Sequence, residues 1–139
     1  MRYSSHLYFR TDGTLGRYPI IEVDEGGRIV GLRECADTLT EMGSQRFYSG
    51  VIVPCFVDAE AADIMSDAAM QRAFAQITFD SREAFCRSVG QLTIGAARRC
   101  GRLPLIGAIE VGSAPGLLLI DGFDLNSFSP AGARMRRIL

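Results

Sequence analysis

Phe47-Tyr48-Ser49-Gly50-Val51-Ile52-Val53-Pro54-Cys55-Phe56-Val57-Asp58-Ala59-Glu60 is the stretch on which the reading of the fold turns. Val51 to Val53 form an apolar, β-branched run of the kind that fills a buried strand. Pro54 closes it by removing a backbone donor. Gly50 marks a candidate bulge just upstream. Beyond Val57 the pattern turns alanine-rich, with Asp58 placed to cap a helix over about 59–79.

Working outward, residues 2–10 alternate as a strand, with Tyr3, Ser5, Leu7 and Phe9 expected on one face and Ser4, His6, Tyr8 and Arg10 on the other. Ile20 to Val23 and Arg28 to Leu32 flank Asp24-Glu25-Gly26-Gly27, a hairpin signal, because glycine takes positive φ at little cost. Cys35 to Met42 carries some helical character. Asp80-Ser81-Arg82-Glu83 has capping-box spacing and opens a second helix over about 81–100, in which Phe85, Val89, Leu92 and Ala96 form one stripe and Gly101 ends the run. Leu105 to Val111, a Gly/Pro turn at 112–116 and Leu117 to Asp121 read as a second hairpin, and Arg134 to Leu139 as a last strand.

The order is therefore strands 1–57, a helical insert 58–100 and strands 105–139. A chain of 139 residues supports one domain with a real core but not a (β/α)8 barrel, which takes about 250 residues. Hydrophobic content of 47% without low-complexity tracts points to a globular chain. The net charge of −1 gives no general attraction to nucleic acid or anionic lipid, and the arginines at 98, 99, 102, 134, 136 and 137 do not change that balance. All fifteen basic residues are arginine, which excludes lysine Schiff-base chemistry and a lysine-dependent phosphate loop. The N-terminus turns polar at once, no apolar run approaches membrane length, and Cys35, Cys55, Cys86 and Cys100 have no Cys-x-x-Cys spacing. The expectation is a cytoplasmic protein with reduced thiols and no membrane role.

The stretch at 47–60 resembles the approach to the barrel in metal-dependent amidohydrolases of the urease, imidazolonepropionase and chlorohydrolase type, where Tyr-Ser-Gly-Ile-Leu-Val-Pro-Gly-Phe-Val-Asn-Ala leads into His-x-His. Here Glu60-Ala61-Ala62 stands in place of those histidines. Residues 20–33 resemble the family's first hairpin. Gly107-Ala108-Ile109-Glu110-Val111-Gly112-Ser113-Ala114-Pro115-Gly116 resembles its late Gly-Ser-Ile-Glu-x-Gly-Lys-x-Pro-Gly motif, with Ser113 for the lysine, and Leu92 to Arg98 resembles its closing helix. The match covers roughly 15–60 and 88–139, and residues 61–87 stand where the barrel would be. The resemblance implies an α+β domain: a small, mainly antiparallel β-sandwich made from both chain ends, with the two central helices packed over the face that a barrel would have covered.

Of the candidate chemistry, Asp58, Glu60, Asp63 and Asp67 could present hard oxygen ligands for magnesium or calcium, although acidic residues are favoured at a helix start in any case. Cys55 is a candidate nucleophile, and Glu60 and Asp63 are candidates for a new hydrolytic site; His6, the one histidine, reads as a strand-face residue. The expectation is no cofactor, no metal and no inherited catalysis. It makes the chain a binding, scaffolding or regulatory module with a homodimeric or other protein partner. The alternatives are a small hydrolase-like enzyme and a subunit that completes a partner's site.

Overall fold

The structure, a computed structural model, describes residues 1–35, 45–129 and 131–139. Its elements are β1 (Arg2–Phe9), β2 (Leu15–Arg17), β3 (Pro19–Val23), β4 (Ile29–Glu34), β5 (Gln45–Pro54), β6 (Val57–Asp58), β7 (Asp63–Ile64), α1 (Asp67–Gln76), α2 (Arg82–Gly90), a π-helical turn at Gln91–Gly95, α3 (Ala96–Arg99), β8 (Leu117–Asp121) and β9 (Arg134–Arg137). The helical character read at Cys35 to Met42 falls, beyond Cys35, outside the described residues.

Strands from both ends of the chain share one sheet. Its order is β4-β3-β1-β5-β8-β9, with β2 also on β1, and β1 with β5 is the one parallel pair in an otherwise antiparallel sheet. The seam between the two ends is β5 on β8, where Val51 faces Ile120 and Pro54 faces Leu117. The fold is thus α+β, but the expected sandwich is replaced by a single open mixed sheet of seven strands. The hydrogen-bond ladder runs unbroken from β4 to β9, so among the described residues no comparable second sheet remains to stack on it; β6 and β7 form only a two-residue pair.

The sheet is apolar on both faces. Val51, Val53, Leu118 and Ile120 pack with Met70 of α1 and Phe85 and Val89 of α2, so the helices do cover one face. Ile52, Leu117 and Leu119 pack on the other face with Ile21, Val23 and Ile29 of the same sheet and with Ile109. That sharing requires the sheet to coil. Its first hairpin is tied to the segment before β8 by Ile29 N–H donating to Ser113 O and Gly112 N–H to Ile29 O, both at 2.8 Å. Burial of each such aliphatic side chain stabilises by about 1.5–3 kcal/mol.

Several local readings change. Residues 57–64 form the β6–β7 pair instead of the start of a helix. The Asp58 carboxylate accepts from the amides of Glu60 and Ala61, closing an Asx turn, and Ala62 at φ +54° reverses the chain. The helix starts at Asp67, capped by Ser66, whose hydroxyl accepts from Ala69 N–H. Ser81 caps α2 in the same way on Ala84 N–H, and the π turn lengthens the run to Arg99 before Gly101 at φ +73°. Residues 105–111 are not a strand, so the second hairpin pairs β8 with β9. Gly107, at φ +78°, lies where an added Cβ would meet Ala97 Cβ and Thr93 O, both at 2.7 Å, and this close approach is served by a turn, not a strand.

The alternation along β1 also fails part-way. Between Ser5 and Leu7 this strand advances two residues while β5 advances three, from Tyr48 to Val51. Tyr3 and Tyr8 therefore join one cluster, and Leu7 and Phe9 the other. Gly50 sits at this dislocation with φ +136°, where a Cβ would lie 2.6 Å from Ile120 O and 2.9 Å from Asp121 Cβ. Gly50→Ala is expected to cost about 1–3 kcal/mol. Gly13→Ala has a positive φ but nothing within 4 Å, so it should cost less in urea unfolding; equal costs would mean that the β8 contact is immaterial.

Candidate functional site

The sheet dislocation is also where polar side chains gather. His6 lies half-buried in it, its ring edge-on to Phe47 with centroids 5.1 Å apart and 6.2 Å from that of Tyr18. Tyr18 separates β2 from β3 at φ +48°, a costly conformation for a bulky residue. It is held there by Tyr18 N–H donating to His6 O and by Cys35 N–H donating to Tyr18 O, both at 3.0 Å.

Around these two residues lies an open cavity of about 340 Å³. Its polar lining is His6, Arg17, Tyr18, Arg82 and Asn126, and Leu7 and Leu125 supply the apolar wall. Arg17 lies over the Tyr18 ring at 5.5 Å and Arg82 over the Phe128 ring at 5.9 Å. A guanidinium stacked on a ring keeps its in-plane N–H donors free. Ser49 Oγ lies 3.5 Å from His6 Nδ1, at the outer limit of a hydrogen bond. Among the described residues no carboxylate lines the cavity.

The acidic candidates are elsewhere. Asp58 and Asp63 face each other across the β6–β7 pair, with Asp63 accepting from Ile64 N–H, and Glu60 is exposed in the turn between them. Asp67 begins α1 and is salt-bridged to Arg137 at 3.2 Å. Among the described residues no group of three or more His, Cys, Asp or Glu side chains is arranged to hold a metal ion. Cys55 is fully buried in the core beneath the helices. Burial pushes its thiol up to about 11, so it is neither accessible nor ionised near neutrality. His6, the one histidine that could assist a nucleophile, meets Ser49 and not this buried thiol.

Arg17, Tyr18, Arg82 and Asn126 carried no sequence signal, since residues 6, 17–18, 82 and 126 share no motif and meet only through folding. The one available hint was an arginine at the start of a helix, where a cation is unfavourable.

No protein-family model matches the chain, and no curated protein matches it. Two solved structures of an N-acetyl-D-glucosamine-6-phosphate deacetylase from Mycobacterium smegmatis are similar to it. One is 19% identical with a TM-score of 0.33, covering 70% of this chain and 30% of that one. The other is 19% identical with a TM-score of 0.34, covering 72% and 30%. The chain spans about 30% of that protein's length. Among the described residues no helix is long and apolar enough to cross a membrane.

The raised thiol pKa has a definite sign. The unfolded thiol ionises near 9.0 while the native one stays protonated to about 11, so its contribution is intact below pH 9 and is lost as pH rises through 11. Tyr8, raised to about 12 by burial and by Glu34, adds a loss in the same direction above pH 10. Cys55→Ala should therefore show a shallower fall in urea-derived stability between pH 8 and 10 than the parent, by on the order of 1 kcal/mol. Parallel profiles would show that the native thiol ionises normally.

Proposed function

We propose that this chain is a binding module built on an amidohydrolase-like fragment, without the catalysis of that family. The observation that carries the reading is the cavity at the sheet dislocation, where a histidine, two arginines, a tyrosine and an asparagine converge beside an apolar wall. Small-molecule sites characteristically combine an apolar surface with a few convergent polar groups. The motif positions support the same view: Glu60-Ala61-Ala62 cannot supply the imidazole pair that grips a hydrolytic metal. Cys55, the sequence's candidate nucleophile, is closed off by the core.

A second reading, a small hydrolase, is favoured by one contact. Ser49 Oγ beside His6 Nδ1 is a hydroxyl–imidazole pair of the kind that activates a nucleophile. Among the described residues it has no carboxylate to orient the imidazole, which ranks it below binding.

Amide chemical-shift mapping against mixed small metabolites, with product analysis of the same samples, separates the two. The binding reading expects shifts clustered at Leu7, Tyr18 and Asn126 and no new product. Turnover that disappears in both Ser49→Ala and His6→Ala would establish the enzyme instead, and an absence of clustered shifts would remove the module.

A further inference from the structure

We infer that this cavity takes the phosphate or carboxylate group of a small organic molecule, gripped by Arg17 and Arg82; this names the ligand class for the binding module proposed above and rests on that reading. Four arginines of the described chain are salt-bridged to carboxylates: Arg2 to Glu22, Arg10 to Glu34, Arg134 to Asp121 and Arg137 to Asp67. Arg17 and Arg82 have no such partner among the described residues, and both line the same cavity.

The placement of Arg82 runs against local electrostatics. Arg82 is the first residue of α2, at the positive end of the helix macrodipole, where a cation is disfavoured and an anion favoured. An oxyanion in the cavity would be attracted by the guanidinium and the helix end together. Each guanidinium lies over a ring, Tyr18 or Phe128, and keeps its forked N–H donors for bidentate contact with a phosphate or carboxylate. His6 and Asn126 add further polar groups, and among the described residues no carboxylate in the lining opposes an anion. Leu7, Leu125 and the Tyr18 ring offer a surface for the organic part of the ligand. The strained φ of Tyr18 gives this arrangement a structural correlate, because such strain tends to be kept where a site uses it.

The chain has no tryptophan to mask its four tyrosines, so the part of any emission change that is lost in Tyr18→Phe reports on Tyr18. The full chain is titrated with inorganic phosphate, with malonate and with sodium chloride at matched ionic strength, by calorimetry and tyrosine fluorescence. Saturable binding of phosphate or malonate, but not of chloride, is expected, and the tighter of the two assigns the headgroup. Arg17→Ala and Arg82→Ala should each weaken it at least tenfold, and Arg17→Lys should restore only part because lysine lacks the fork. Arg98→Ala, on α3 and away from the cavity, should bind as the parent does. Both cavity arginines are exposed, so the variants should keep the parent's thermal unfolding midpoint. Equal binding by parent and Arg17→Ala/Arg82→Ala, or no binding of either anion, overturns the inference. If neutral metabolites still shift Leu7, Tyr18 and Asn126 in that case, the module stands and only its ligand class is wrong.

Discussion

The pairing of β5 with β8 is the constraint from which the rest follows. Val51 to Pro54 and Leu117 to Ile120 are apolar at every position and fully or almost fully buried, so the two strands at the centre of the sheet must be covered on both faces. Strands of this character belong to sheets with no solvent-facing side. α1, α2 and the π turn cover one face. The other is covered by the sheet itself, which coils until its first hairpin meets the residues before β8, with Ile109 and the C-terminal Ile138 and Leu139 filling in.

The coil creates the dislocation. A regular ladder cannot keep the same faces buried through so sharp a turn, and the mismatch is absorbed where β5 advances one residue more than β1. Gly50 allows the close approach of β8, while Tyr18 takes a left-handed conformation to carry the neighbouring strand across. The cost of packing both faces is thereby concentrated in one place. The β1–β2 register, continued one step past Leu7 and Arg17, sets His6 opposite Tyr18, and the fold brings that pair beside Arg82 at the start of α2.

Electrostatically the molecule is divided. Arg10 and Glu34 close an ion pair at 2.6 Å that holds the Glu34 carboxyl below its usual range, and Asp67 ties α1 to Arg137 on the edge strand β9, where Gln71 also donates to Met135 O. These exposed pairs add little stability. Arg17 and Arg82 are in none of these pairs; they lie over aromatic rings at the rim of a cavity whose lining, among the described residues, holds no acid, and this gives the site its chemical character.

The sequence alone determined what is locally encoded. The Asp24–Gly27 hairpin, the Ser81 start and Gly101 end of the long helical run, the termination of β5 at Pro54 and the irregularity at Gly50 each depend on a few neighbouring residues with strong backbone preferences. The pairing of N- and C-terminal strands was legible through motif resemblance. Composition misled at 57–64, because alanine favours a helix without saying where it starts, and the Asp58 side chain bonded into a turn first. Only the tertiary structure decided which faces of β1 point where, that one coiled sheet forms in place of two, and that His6, Arg17, Tyr18, Arg82 and Asn126 share a cavity. Those outcomes depend on burying both faces of β5 and β8 at once, a requirement that no window of neighbouring residues contains.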